Sequence, residues 1–354
     1  MKGLILSGGR GTRLRPITHT SAKQLVPVAN KPILFYGLEA IVEAGITDIG
    51  IVVGDTHAEI REAVGDGSRF GAKVTYIQQS APLGLAHAVK ESRSFLGDDP
   101  FVMYLGDNFL REGITSFVRE FEEHRPDAQI LLVAVPNPQD FGVAELDGDH
   151  VARLEEKPRE PRSNLALVGV YMFTRAVWEA VDGIRPSKRG ELEITDALQW
   201  LIDHKKTVRS HVIDGWWKDT GKLEDMLEAN RMAMSHWTTR VDGSIDDASI
   251  VEGAVVVEAG ARVVRSRLRG PLILGPGVVV EDAYIGPFSA IAEGARIIRS
   301  EVEHSIVLER SVIEDVPTRI DSSLIGKDVV VTRSPDRPRA HHIMVGDSSR
   351  VELA

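Results

Sequence analysis

The segment Leu4-Ile-Leu-Ser-Gly-Gly-Arg-Gly-Thr-Arg-Leu-Arg-Pro16 decides the fold of the first part of the chain. An apolar run of strand type breaks into glycines, and the glycines lead into a cationic turn. Three glycines directly after a strand let backbone N–H groups approach a polyphosphate with no Cβ in the way. Arg13 and Arg15 add positive charge close by. Taken alone, the loop reads equally well as a tight strand-to-helix turn. Outward from it, apolar runs recur at residues 49–53, 74–77, 101–105, 130–135 and 167–173. They are short, β-rich and mostly end in Gly, Asp or Pro, which predicts strands of a largely parallel, buried sheet. Amphipathic helical stretches alternate with them at 32–44, 57–64, 85–95, 114–124, 195–204 and 223–236. This alternation predicts an α/β/α layered domain over residues 1–238, with ligands at the carboxyl ends of the strands.

From about residue 245 to 331 the pattern changes. Helical periodicity fades and aliphatics recur at every sixth position: Ile273, Val279, Ile285, Ile291 and Ile297. Glycines and small residues lie between them, as in Leu274-Gly-Pro-Gly-Val278. One inward aliphatic per six residues is the signature of a parallel β-helix, each flat face of a triangular coil giving one core side chain. A single coil cannot bury its aliphatics, whereas a stack of coils forms a continuous core. The reading is a left-handed β-helix over 239–331, with the register slipping at 265–270 and 299–304. In the tail, 332–354, the Pro- and Arg-rich stretch 334–339 reads as a loop. Residues 343–345 and 351–353 read as a strand capping the β-helix.

Composition narrows the chemistry. The net charge of −10 argues against a general nucleic-acid binder, which needs a cationic surface to release counterions. With no cysteine, disulfides, thiolate nucleophiles and Cys-based metal sites are impossible. No apolar run approaches the ~18 residues of a membrane span, and Met1-Lys-Gly-Leu-Ile-Leu-Ser-Gly-Gly9 lacks a secretory apolar core. A cytoplasmic protein with no membrane partner is expected.

Two familiar glycine motifs fail against the opening loop. The dinucleotide fingerprint needs a third glycine where Leu14 stands, and the nearest approach to a Walker loop, Gly215 to Lys222, has one residue too many. What the loop does match extends further along the chain. Gly8-Gly9-x-Gly11-Thr12-Arg13-Leu14-x-Pro16, then Lys23-x-Leu25-x-Pro27 and Lys31-Pro32, resembles the signature of the sugar-1-phosphate nucleotidyltransferases that make NDP-sugars. Within these enzymes the chain most closely resembles the glucose-1-phosphate thymidylyltransferases, in the longer form that carries a C-terminal hexapeptide β-helix and is associated with deoxysugar pathways in antibiotic producers. The resemblance covers the first two-thirds of the chain in several separated motifs.

The resemblance implies a Rossmann-like catalytic domain and a set of site residues. Leu6, Gly8, Gly9, Gly11, Thr12 and Arg13 would meet the nucleotide, with Gln79 and Gly84 of Gln79-Ser-Ala-Pro-Leu-Gly84 on the pyrimidine edge. Asp107, in Tyr104-Leu-Gly-Asp107-Asn108, and Asp219, in Lys218-Asp219-Thr220-Gly221, would bind Mg²⁺. Gly142, Glu156, Lys157, Tyr171 and Arg189 would hold the sugar phosphate, Glu156 on its hydroxyls and Lys157 and Arg189 on its phosphate. The implied substrates are dTTP, with UTP as an alternative, and glucose 1-phosphate; the products are dTDP-glucose and pyrophosphate. A homo-oligomer is implied as well. Position 141 is Phe, where short relatives often carry Tyr, so a hydroxyl contact from there is absent.

The chemistry asks for this inventory on its own account. Nucleophile and electrophile are both anionic phosphates, so the barrier is charge repulsion and positioning. Arg13 and Lys23 would stabilise the charge of the transition state and leaving group, and Mg²⁺ on Asp107 and Asp219 would bridge phosphate oxygens. A phosphate monoester is already largely ionised at neutral pH, so no general base is needed. Singly, each residue has a plainer reading. Asp107 suits a helix cap, Asp219 a turn, and Glu155-Glu156-Lys157 a solvated charge cluster. Trp216 and Trp217 read as packing residues beside the site. His304 reads as a turn histidine and His341-His342 as exposed. Rival readings are an acetyltransferase activity in the β-helix, with His304 as base, and a non-catalytic sugar-nucleotide sensor.

Overall fold

The computed structural model describes every residue except 10, 149, 334–340, 342 and 354. The loop expected at 334–339, and His342, therefore lie outside the described residues. Each apolar run of the first two-thirds supplies both faces of one sheet. In the strand Lys2–Ser7, Leu4 and Leu6 enter one core and Ile5 the opposite one. Phe101 and Met103 part from Val102 and Tyr104 in the same way along Phe101–Leu105. A strand covered on both sides has no face to leave polar, so its sequence is a continuous apolar run. The helices Ile33–Glu43, His57–Val64 and Thr115–His124 pack on one side, and Leu85–Glu91, Val177–Gly183 and Ile194–Asp203 on the other. This is the expected α/β/α sandwich.

The sheet has nine strands, in the order Lys73–Gln78, Asp48–Val53, Lys2–Ser7, Phe101–Leu105, Leu165–Phe173, Ala128–Ala134, Val208–Val212, His150–Glu156, Gly142–Asp147. The first four are mutually parallel. Leu165–Phe173 departs from the parallel pattern and runs antiparallel to both neighbours. A run buried on both faces carries no mark of its direction, so the sequence could not show this reversal. The helix expected over 85–95 is divided into Leu85–Glu91 and Arg93–Leu96. At the junction the Ser92 hydroxyl donates to the Ala88 carbonyl at 2.8 Å, a back-bond that bends helices.

The chain forms two compact units that interleave in sequence. The first comprises Met1–Arg10, Ser21–Leu25 and Ile33–Asp219; the second comprises Gly11–Thr20, Val26–Pro32 and Thr220–Ala354. The helix Leu223–Met234 thus belongs to the second unit, together with two amino-terminal segments.

The second unit contains three all-parallel sheets, the arrangement expected of a left-handed β-helix. Val257, Leu274, Ile291 and Val307 pair in succession on one face, and Val263, Val280, Ile297 and Ile313 on the next. Leu268, Ile285 and Val302 follow on the third. Most coils fall one residue short of three hexads, so a strict sixfold count slips. Two expected core positions are accordingly corrected. Leu274 and Val280, both fully buried, point into the core, while Ile273 lies outside that core and Val279 is half-buried. The runs Leu272–Leu274 and Val279–Glu281 place aliphatics side by side, and spacing alone does not choose between them.

One corner of the coil repeats a left-handed residue at Arg265, Asp282, Arg299 and Asp315, with φ of 45°, 50°, 44° and 57°. The side chains there form a ladder. Arg265 donates to both Asp282 oxygens at 2.8 and 2.7 Å, and Arg299 reaches Asp315 at 2.8 Å. Bidentate guanidinium–carboxylate pairs fix the orientation of both partners. His304 occupies another corner at φ 45°. Its Nδ1 is 3.4 Å from Ser322 Oγ and its Nε2 is buried. The capping strand expected at 343–345 and 351–353 is absent: both stretches are exposed and neither forms a strand.

Also in this unit, Pro27–Val28 pairs with Lys31–Pro32 through Ala29 (φ 51°) and Asn30 (φ 60°), as a two-residue hairpin turn requires. The fully buried Asn230, on the helix Leu223–Met234, accepts from the Ala29 N–H at 2.8 Å and donates to the Phe288 carbonyl at 2.8 Å. Asn30 donates to the Ile291 carbonyl at 2.8 Å. The amino-terminal hairpin is thereby fastened to the coil. No helix among the described residues is long and apolar enough to cross a membrane.

Candidate active site

Asp107 and Asp219 meet because two short strands pair. Asn108–Leu110 runs antiparallel to Trp217–Asp219, with Asp219 directly opposite Asn108. The carboxylates, far apart in sequence, thus end beside one ammonium. Lys23, on the tight turn Lys23–Leu25 and only 7 % exposed, ion-pairs with Asp107 and lies 3.7 Å from Asp219 Oδ1. A buried ammonium is tolerated only when paired in this way. Burial by itself would raise the pKa of Asp107, but the Lys23 charge, with hydrogen bonds from Lys23 and Asn108, holds it below the ordinary carboxylate range.

Asn108 is the joint of this arrangement, and its role was not read from the sequence. Its Nδ2 donates to Asp107 Oδ1 at 2.9 Å, while its Oδ1 accepts from Trp217 Nε1 at 2.6 Å and from the Gly169 N–H at 3.3 Å. A Cβ at Gly169 would stand 2.6 Å from that same oxygen, so the position is closed to any side chain. The available signal was an amide residue directly after Asp107 at a strand end.

Two carboxylates converging on one cation form a hard-oxygen donor set, and the Lys23 ammonium marks where positive charge is held. The set fits a divalent ion that completes its shell with phosphate oxygens and water. Among the described residues no cluster of three or more acidic, His or Cys side chains supplies a metal cage. Substrate oxygens would therefore have to provide the rest.

Of the residues expected on the nucleotide side, the structure brings Gly8, Gln79 and Gly84 together. A Cβ on Gly8 would lie 2.8 Å from Gln79 Oε1, and Gln79 Nε2 donates to the Gly84 carbonyl at 3.3 Å. Gly84 has φ 105°, and a Cβ there would be 2.5 Å from the Leu192 carbonyl, so this turn requires glycine. Gly9 faces Gln24, whose Nε2 would be 3.7 Å from an added Cβ. Leu6 has its side chain in the core, and its carbonyl accepts from Gly106 N–H at 2.9 Å. Gly11, Thr12 and Arg13 belong to the second unit. The Gly11 carbonyl accepts from the Thr18 hydroxyl at 2.6 Å, and the Arg13 guanidinium lies against Gly221, where a Cβ would be 2.9 Å from Nη2. Gly221 follows Asp219 by two positions in the sequence.

The residues expected on the sugar side also come together. Gly142 pairs across the hairpin with Glu156, and a Cβ at Gly142 would come within 3.2 Å of Glu156 Oε2 and 2.9 Å of Thr195 Oγ1. Thr195 donates to Glu156 Oε2 at 2.7 Å. Arg189 Nη1 is 3.5 Å from Glu156 and 3.6 Å from Glu193, and its Nη2 is 3.2 Å from Glu191. Burial pushes the Glu156 pKa up, opposed by the Thr195 hydrogen bond and helped by the Glu193 charge. Burial and Glu156 likewise raise the Tyr171 hydroxyl. Lys157 stands at φ 43°, its N–H bound to the Phe141 carbonyl at 3.0 Å, and the Phe141 ring meets Trp217 edge-on at 5.3 Å. Thr195 and Glu193 were not singled out from the sequence, although both lie within six positions of Arg189.

Glycines at a strand end, two aspartates beside one ammonium and a cluster of acidic side chains on one α/β/α sheet fit a nucleotidyltransferase. The chain belongs to the nucleotidyl transferase family, whose model matches residues 2–236. It is 59 % identical over 355 residues, and over the whole of both chains, to glucose-1-phosphate thymidylyltransferase of Streptomyces griseus. It is 58 % identical to the enzyme of that name from Streptomyces antibioticus, covering 100 % of this chain and 99 % of the other. A crystal structure described as a glucose-1-phosphate thymidylyltransferase from Bacillus anthracis superposes with a TM-score of 0.62 at 37 % identity, covering 66 % of this chain and 95 % of that one. Members of this family act on nucleoside triphosphates and sugar phosphates and generally use a divalent metal.

Proposed function

We propose that the chain is a glucose-1-phosphate thymidylyltransferase: with Mg²⁺ it transfers dTMP from dTTP to α-D-glucose 1-phosphate, giving dTDP-glucose and pyrophosphate. The observation that carries the reading is the convergence of Asp107 and Asp219 on the buried Lys23 ammonium. The full-length likeness to the two Streptomyces enzymes supports the choice of substrates.

A phosphate oxygen of the sugar phosphate attacks the α-phosphorus, the bond from that phosphorus to the bridging oxygen breaks, and pyrophosphate leaves in line. The nucleophile is already ionised, so no protein group has to take a proton. Asp107 and Asp219 would hold Mg²⁺, which when bound supplies charge neutralisation across the reacting phosphates. Lys23 contributes a fixed positive charge in a site with little water, where it acts most strongly. Arg13 is assigned to the triphosphate on its motif, as are the amides of Gly8, Gly9, Gly11 and Thr12. Gln79 and Gly84 read the base. Glu156 accepts from sugar hydroxyls beside Gly142 and Tyr171, and Lys157 and Arg189 take the sugar phosphate. The protein is expected to work in the cytoplasm as a homo-oligomer and to feed activated glucose into deoxysugar synthesis.

The test is pyrophosphate release from four nucleoside triphosphates against several sugar 1-phosphates, with and without magnesium. Highest turnover is expected with dTTP and glucose 1-phosphate, and lower turnover with UTP. Release confined to another nucleotide or sugar would overturn the substrate assignment, and metal-independent turnover would remove Mg²⁺.

A further inference from the structure

Gln79 has two chemically different ends, and the structure fixes which one faces the nucleotide loop. Its Nε2 donates to the Gly84 carbonyl at 3.3 Å and lies 3.2 Å from Nδ1 of His87. Its Oε1 points the other way, toward the Cα of Gly8. An amide nitrogen can only donate, so His87 Nδ1 must accept and the imidazole proton must sit on Nε2. Nε2 in turn faces Glu91 Oε1 at 3.6 Å, one turn further along the helix Leu85–Glu91. Glu91 is itself anchored, because its two oxygens accept the Ser80 N–H at 2.8 Å and the Ser80 hydroxyl. A chain of directional contacts thus runs from Ser80 through Glu91 and His87 to Gln79. His87 is largely buried, its side chain 14 % exposed.

We propose that His87, oriented by Glu91, is a positioning residue that locks the Gln79 amide with its carbonyl toward the base. It thereby selects pyrimidines bearing N–H at ring position 3 and excludes cytosine. The inference rests on the reading of Gln79 as base reader. Thymine and uracil carry a donor at N3, which the Gln79 oxygen can accept. Cytosine presents a lone pair there, and two acceptors face to face leave both unsatisfied. A free glutamine could rotate its amide and serve either base; one held by two acceptors on its nitrogen cannot do so without losing both contacts. A site built on a fixed donor or acceptor discriminates far more sharply than one built on shape. The relay accepts UTP as well as dTTP, since the two share the same N3–H.

The test compares dTTP, UTP and dCTP with the full-length protein, by nucleotide binding without sugar phosphate and by steady-state rates with it. His87→Phe keeps a ring and removes the acceptor. It is expected to raise KM for dTTP and UTP about tenfold with kcat nearly unchanged, the loss of roughly one hydrogen bond, and to lower the dTTP-to-dCTP preference by a similar factor. His87→Asn places an oxygen near the position of Nδ1 and should restore most of that preference. Glu91→Ala should shift the ratio in the same direction by less, and it carries the test if His87→Phe does not fold. Should His87→Phe and Glu91→Ala keep the parental dTTP-to-dCTP ratio, or weaken all three nucleotides equally, the relay has no part in selection. If the parental protein itself binds dCTP as well as dTTP, the assignment of Gln79 as base reader is what fails.

Discussion

Thr195→Val tests the sugar pocket at the contact the structure makes most specific. Thr195 is 1 % exposed and donates to Glu156 Oε2 at 2.7 Å, and valine has almost the same shape, so the change deletes a hydrogen bond and little else. A hydrogen bond to a charged group contributes about 1.5–3 kcal/mol. Arg189 stays 3.5 Å from Glu156 and still offsets part of its charge, so the lower end of that range applies. About 1.5 kcal/mol corresponds to a rise of roughly tenfold in KM for the sugar phosphate, with kcat changed less. The pH dependence has a definite sign. Burial already raises the Glu156 pKa and Thr195 opposes that rise, so removing the hydroxyl lets it climb further. The acid limb of the kcat/KM profile for glucose 1-phosphate should therefore move to higher pH, and Thr195→Ser should move it back. The assay is pyrophosphate release across pH at saturating dTTP, with the thermal midpoint as a check on folding. An unshifted acid limb together with an unchanged KM would mean that Glu156 does not contact the sugar as an ionised acceptor.

Asp107→Asn and Asp219→Asn should each lower turnover by at least ~100-fold, as ligands should cost no less than the outer-shell groups that orient them. Folding should be retained, and near-parental rates in magnesium would remove that residue from the metal site. Lys157→Ala should raise KM for the sugar phosphate about tenfold, one exposed charge contact, and an unaltered KM would exclude it from the phosphate. Asn230→Ala strips partners from the Ala29 N–H and the Phe288 carbonyl at a fully buried position. At about 1–3 kcal/mol for each unsatisfied group, calorimetry should find the thermal midpoint several degrees lower, and an unmoved midpoint would show that the hairpin is held by other contacts.

What the sequence conveyed, and what it withheld, divides along a physical line. Continuous apolar runs such as Phe101–Leu105 disclose burial on both faces, so the sheet was readable. The same continuity hides strand direction, and the reversed Leu165–Phe173 passed for a parallel strand. The hairpin Gly142–Asp147 and His150–Glu156, which carries two of the residues expected at the sugar, has too few apolar residues to stand out. In the β-helix the sixfold spacing disclosed the architecture but misplaced Ile273 and Val279 by one position, because their neighbours are equally aliphatic. The site residues were nameable from their motifs, whereas the groups that orient them were not. Thr195, Asn108 and His87 act through contacts with residues 39, 109 and 8 positions away at the farthest. For Thr195 and His87 nothing in the local sequence distinguishes such a hydroxyl or ring from one that meets water, and for Asn108 the one sign is its place directly after Asp107.

The short pairing of Asn108–Leu110 with Trp217–Asp219 shows why that difference matters for the chemistry. Two carboxylates close together repel, and a mobile loop would let them part. Here each aspartate borders or belongs to a strand whose register is set by backbone hydrogen bonds, and the Asn108 amide ties Asp107 to Trp217 and Gly169 at once. The repulsion is offset by the Lys23 ammonium rather than relieved by movement. The cost of assembling the charges is thus met during folding, before any substrate arrives, which is what electrostatic preorganisation requires. Gly169 belongs to this scheme although it lies in the interior of a strand, where glycine is unfavourable. A side chain there would displace the Asn108 oxygen from 2.6 Å away and with it the carboxylate that Asn108 holds.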